Sequence, residues 1–171
     1  VSKFAAAASL VFVYIALFSI PMSAQLIPHG NVYVGAAYSD SNIVIDRHGL
    51  KGWNASIEAI PLSRFSFLGL VIDASGYYGS GITQYNFLGG PRLAANFGKL
   101  RPFIHGLAGI QRVPVNGITY QPVAADVGGG IDYKLPFRNF SWRLQGDYLH
   151  THYLSASQND FRASTGIVWR F

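Results

Sequence analysis

The stretch His150-Thr-His152-Tyr-Leu-Ser155 holds the residue types that a hydrolase needs. His152 could serve as base toward Ser155 or Thr151, with Asp160 or Asp147 to orient it. Such catalysis requires a base within hydrogen-bond reach of a hydroxyl and a third group that fixes the base. The two imidazoles, at i and i+2, share one face of a strand and could also approach a metal. No carboxylate lies within the stretch, and two ligands make a weak site. A polar loop base is the simpler reading, so no catalytic residue, metal ligand or cofactor is assigned. His48 and His105 stand alone in the sequence and receive no role.

A larger set of ionisable residues recurs at alternate positions of apolar segments. It comprises Glu58, Asp73, Asp126, Asp132 and Asp147 with Arg92, Lys134, Arg143, Arg162 and Arg170. Opposite charges on one side of successive strands can pair across a narrow interior, and buried charges require partners. The expected role of Glu58, Asp73, Arg92, Asp126, Arg143, Asp147 and Arg162 is therefore a structural charge network, not an ion conduit. Arg143 and Asp147 share a face of one strand and are expected to pair with neighbouring strands.

The elements that position these charges are read from a period of two. From Asn31 the chain divides into eight segments, roughly the ten residues of a tilted membrane strand each. They run over 31–39, 52–61, 66–78, 85–97, 101–113, 123–135, 140–150 and 161–171. In the last, Phe161, Ala163, Thr165, Ile167, Trp169 and Phe171 oppose Arg162, Ser164, Gly166, Val168 and Arg170. The fifth is ambiguous: with His105 and Gln111 on the polar face, Phe103 and Leu107 fall there as well. The connections at 62–64, 98–100 and 136–139 are tight. Those at 40–51, 114–120 and 154–160 are longer, with 79–81 the short exception. Gly, Thr, Tyr and Pro interrupt every helical stripe.

The 171-residue chain has a formal charge of +5, no cysteine, and few charged residues beside many aromatics and glycines. This excludes disulfide-stapled and thiolate-metal modules and a disordered chain. The basic residues are scattered, which argues against nucleic acid as a partner. Lys3, the apolar run from Phe4 to Ile20 and the exit Pro21-Met-Ser-Ala24 read as a signal peptide over 1–24. The barrel domain would then occupy 25–171. No later segment is apolar enough for a membrane helix, so a membrane location requires a closed barrel.

Aromatic residues gather at both ends of the segments, as in two interfacial girdles: Trp142, Trp169 and Phe171 at the tight-turn end, Trp53 at the other. With the strand number, the alternation, the turn asymmetry and Phe171, the chain resembles the OmpA-like family of small outer-membrane barrels. Within that family it is similar to the opacity and OmpX type, without a peptidoglycan-binding domain. The resemblance implies an all-β fold, an eight-stranded antiparallel up-and-down transmembrane β-barrel preceded by a signal peptide. It also implies a cell outer membrane location, outer-membrane lipids and the barrel-assembly machinery as partners, and Phe171 as part of the assembly signal. The 40–51 loop would meet any extracellular partner, and Arg64, Lys99, Arg101 and Arg138 would face inner-leaflet headgroups. The expected function is structural, adhesive or surface-binding. The alternatives are a lipid A deacylase, whose compact His-x-Ser spacing this sequence does not reproduce, and a secreted lipocalin-like carrier.

Overall fold

The computed structural model describes residues 29–43, 46–61, 65–79, 82–115, 118–152 and 157–171. The signal-peptide segment, Arg64 and Ser155 lie outside them. Alternation produces strands throughout: β1 (Gly30–Ile43), β2 (Asp46–Ala59), β3 (Leu68–Gly79), β4 (Ile82–Ala94), β5 (Leu100–Val115), β6 (Ile118–Tyr120), β7 (Val123–Lys134), β8 (Phe140–His152) and β9 (Ser157–Arg170). Eight of them form one antiparallel sheet in the order β4-β3-β2-β1-β9-β8-β7-β5, and the pairing of β4 with β5 closes it. β1 meets β9 with Asn31 opposite Arg170 and Ser41 opposite Asp160. The three-residue β6 pairs with β5 alone and extends that hairpin past the barrel.

The strands hold 12 to 16 residues apart from β6. A tilted membrane strand needs only about 9–11, so the hairpins project beyond the span. The segment expected as a 40–51 loop is mostly such a projection: Ile43 pairs with Asp46 and Tyr38 with Lys51. The opposite ends close tightly. Between β4 and β5, Gly98 adopts a left-handed φ of 61°, a conformation open to glycine at little cost, while Phe97 and Leu100 exchange backbone hydrogen bonds.

The two faces of the wall differ completely in chemistry. Leu70, Leu93, Ile131 and Leu144 point outward and are 56, 45, 48 and 62 % exposed. Arg92, Asp126 and Arg143 point inward and are at most 1 % exposed. Val34, Ile57, Ile72, Ile104, Val127 and Ile167 complete an outer apolar belt. Trp142, Trp169, Phe140 and Phe171 edge it at the tight-turn end, and Trp53, Tyr78, Tyr148 and Phe161 edge it at the projecting end. On β5 the structure resolves the ambiguity: Phe103 and Leu107 lie inside with His105 and Gln111, while Ile104 and Ile110 lie outside.

Candidate functional site

Six of the chain's eight acidic residues are buried inside the barrel: Glu58, Asp73, Asp126, Asp132, Asp147 and Asp160. Each sits at an inward position of its strand, so alternation alone brings them together. At eight strands the interior is only wide enough for side chains to fill. The charges therefore lie within reach of one another.

The network has two parts. Toward the tight-turn end, Glu58 accepts hydrogen bonds from Asn31 Nδ2 at 2.6 Å, Arg92 Nη1 at 3.2 Å and Arg101 Nη2 at 3.1 Å. Asp132 accepts from Arg143 through Nε at 2.7 Å and Nη2 at 3.0 Å, a fork that fixes the guanidinium plane. Arg170 Nη2 adds a third bond to Asp132 at 3.1 Å. The Phe103 ring has the Arg92 guanidinium 4.3 Å and the Arg143 guanidinium 4.6 Å from its centroid. An apolar residue inside the ionic cluster thus serves the cations directly, because its π face attracts both.

Nearer the middle, Arg162 pairs with Asp126 and reaches Asp147 at 3.4 Å and Ser75 at 3.2 Å. Asn54 holds Asp73 at 2.7 Å, and Gln145 holds Asp147 at 2.9 Å. His105 joins the two parts: its Nδ1 lies 3.4 Å from Arg92 Nη2 and its Nε2 lies 3.1 Å from Asp147 Oδ1. A guanidinium only donates, so toward Arg92 the Nδ1 atom is the acceptor. His105, Asp126 and Asp147 place ligand atoms within 4.8 Å of one another. Arg162 already stands between those two carboxylates as their counter-cation.

Apolar side chains stand among the charges: Leu107 and Leu149 lie opposite Asp126, and Leu88 lies opposite Asp73. The next inward residue after Asp147 is Leu149, after Asp126 it is Ala124, and after His105 it is Leu107; with Val71 and Leu88 they form one cluster. Ala37, Leu50 and Tyr77 form a second. Beyond them, Asp160 accepts from Gln84 at 3.3 Å and from Gln158 at 2.9 Å.

Several residues sit elsewhere than expected. Arg101 does not face a membrane surface: it is 6 % exposed and bonded to Glu58. It shares the inward parity of Phe103 and His105, a signal available in the sequence. Lys134 is exposed at the barrel rim and not among the buried charges, because β7 ends there. His150 and His152 are exposed on the outer face, whereas Asp147, Thr151 and Asp160 are buried on the inner face. The wall separates those bases from those acids, and Ser155 lies outside the described residues. His150 Nδ1 instead faces Asn159 Oδ1 at 2.7 Å. Trp53, Trp142, Trp169 and Phe171 are all exposed on the outside, with the Trp169 and Phe171 rings 5.4 Å apart. Phe171 exchanges two backbone hydrogen bonds of 3.1 Å with Gly30.

No protein-family model matches the sequence, and no curated protein matches it. Solved structures do share the fold. Neisserial surface protein A is 13 % identical with a TM-score of 0.70, over 83 % of this chain and 97 % of its own. The N-terminal β-barrel domain of Pseudomonas aeruginosa OprF is 17 % identical with a TM-score of 0.59, over 82 % and 97 %. The attachment invasion locus protein Ail of Yersinia pestis is 12 % identical with a TM-score of 0.53, over 84 % and 98 %. The fold is that of the small eight-stranded outer-membrane barrels.

Proposed function

We propose that this chain is an integral outer-membrane barrel whose sealed ionic interior is a structural scaffold and whose projecting hairpins are its contact surface. The observation that carries this reading is the inversion of the wall. Ile72 is 72 % exposed, whereas Glu58 and Arg143 are fully buried. In water such a surface would be an aggregation hazard, since soluble proteins rarely show apolar patches beyond several hundred Å². In a bilayer it is the required solution, because a closed barrel leaves no backbone group unpaired in hydrocarbon. A soluble carrier barrel would instead turn its apolar face inward.

The ionic interior favours a scaffold over a conduit: its guanidinium groups are tied to carboxylates of other strands, and apolar side chains fill space beside them. The hairpin ends of β1–β2, β5–β6 and β8–β9 stand beyond the belt. They are the parts free to meet a neighbouring cell, a soluble ligand or another envelope protein. In this reading Phe171 with Trp169 belongs to the signal that the assembly machinery reads.

Cell fractionation with a heat-shift gel tests the proposal. The protein is expected in the detergent-soluble outer-membrane fraction, with different migration before and after boiling. Recovery from the periplasm without detergent, with one migration position, would overturn it.

A further inference from the structure

We propose that the lipid-facing wall at the projecting end of β2–β5 binds the two phosphates of a phosphorylated glycolipid in the outer leaflet, through Arg112 and Lys51. This rests on the outer-membrane reading above. Along β5 the outward face runs Ile104, Gly106, Ala108, Ile110, Arg112. Arg112 is exposed on the same face as the belt, one outward position past its last apolar residue. An outward Arg costs about 2–4 kcal/mol at mid-membrane and about 0–1 kcal/mol near the headgroups. Its position therefore marks the headgroup level. On β2 the outward face runs Ile57, Ala55, Trp53, Lys51, and Lys51 is likewise exposed just past the belt.

Among the described residues neither cation has a protein counter-ion. None of the ion pairs among the described residues involves Lys51 or Arg112. Six of the eight acids are inside the barrel and Asp40 stands on the neighbouring β1, so the described outward positions of β3, β4 and β5 hold no acid and lipid phosphates can satisfy the cations.

The surface between the cations is aromatic and linked. Tyr85 stands opposite Arg112 in the β4–β5 register, and Lys51 stands opposite Tyr78 in the β2–β3 register. Trp53 Nε1 donates to the Tyr78 hydroxyl at 3.3 Å, and the Tyr78 and Tyr85 hydroxyls are 3.4 Å apart. A groove of about 370 Å³ opens beside Arg112, walled by Tyr85, Phe87 and Pro114. Aromatic faces of this kind suit a sugar ring above and an acyl chain below. Lys51 and Arg112 are three strand spacings apart, roughly 15 Å. One phosphate cannot touch both, so a headgroup with two separated phosphates is the complementary ligand.

The test uses the full chain in phosphatidylcholine nanodiscs doped with diphosphorylated or fully dephosphorylated lipid A, with bound lipid read by native mass spectrometry. The wild type is expected to retain the diphosphorylated form preferentially. R112Q and K51Q should each lower that preference about three- to tenfold, and the double variant should abolish it. R112K should keep most of it, and K134Q, at the opposite rim, should keep all of it. Equal retention of both forms by the wild type, or an unchanged preference in the double variant, would overturn the proposal. If R112Q does not fold, K51Q decides: an unchanged preference in it is the contrary result. A wild type that inserts and shows the heat shift without any phosphate preference removes this site and leaves the barrel reading standing. A wild type that stays water-soluble removes both.

Discussion

Glu58 shows what a buried charge requires. It is fully buried and receives bonds from Asn31, Arg92 and Arg101. Glu58→Ala leaves two buried guanidinium groups short of an acceptor. Breaking a buried pair in this way costs about 3–5 kcal/mol, so the urea midpoint of the vesicle-inserted barrel is expected to fall steeply. An unchanged midpoint would mean that water, and not Glu58, solvates these arginines. At this scale the sequence was legible wherever parity was clear: Asp126 and Arg143 lie inward as their alternation implies. It was less legible at strand ends and at aromatics. Lys134 has the right parity but stands past the rim. Phe103 looked misplaced among charges because its role there, between two guanidinium groups, depends on residues from β4 and β8. His105 had no sequence neighbour to reveal it, since Arg92 and Asp147 reach it from other strands.

Among the elements, β7 depends on small residues. A side chain at Gly128 would place its Cβ 2.8 Å from the Gly146 carbonyl oxygen and 2.9 Å from Asp147 Cγ; one at Gly130 would lie 2.9 Å from the Phe103 ring. These inward glycines make the room that the ion pairs fill. At Gly106, on the outer face of β5, a Cβ would meet nothing within 4 Å. Gly128→Val is therefore expected to destabilise the barrel by about 1–3 kcal/mol through overpacking. Gly106→Ala should leave it unchanged within about 0.5 kcal/mol. Equal effects in urea titrations of the two variants would contradict the described packing. Strand existence and order were readable from the sequence because a half-buried wall forces a period of two. The 40–51 hairpin was not, for a physical reason. Its strands continue past the apolar belt, where neither face is held to one chemistry, so Asp40-Ser-Asn42 shows no alternation although it is paired.

For the whole molecule, the fold links a lipid-compatible exterior to an interior whose charges pair from strand to strand. The networks around Glu58, Asp132 and Arg162 draw on all eight strands of the wall, and the clusters around Leu107 and Leu50 pack beside them. Planar-bilayer recordings of the purified protein are expected to show no stable porin-like steps; regular steps of constant size would show an open axial path. The absence of cysteine makes the central claim directly measurable with single labels. Leu144→Cys and Ile131→Cys place a fluorophore on the outer face, and Ser141→Cys and Ser164→Cys place a thiol on the inner one. In vesicles with brominated acyl chains, the first pair should label and be strongly quenched, while the second pair should resist labelling until the barrel unfolds. Quenching confined to the serine positions, or outer labels that respond to aqueous iodide and not to brominated lipid, would contradict a barrel with its apolar wall in the membrane.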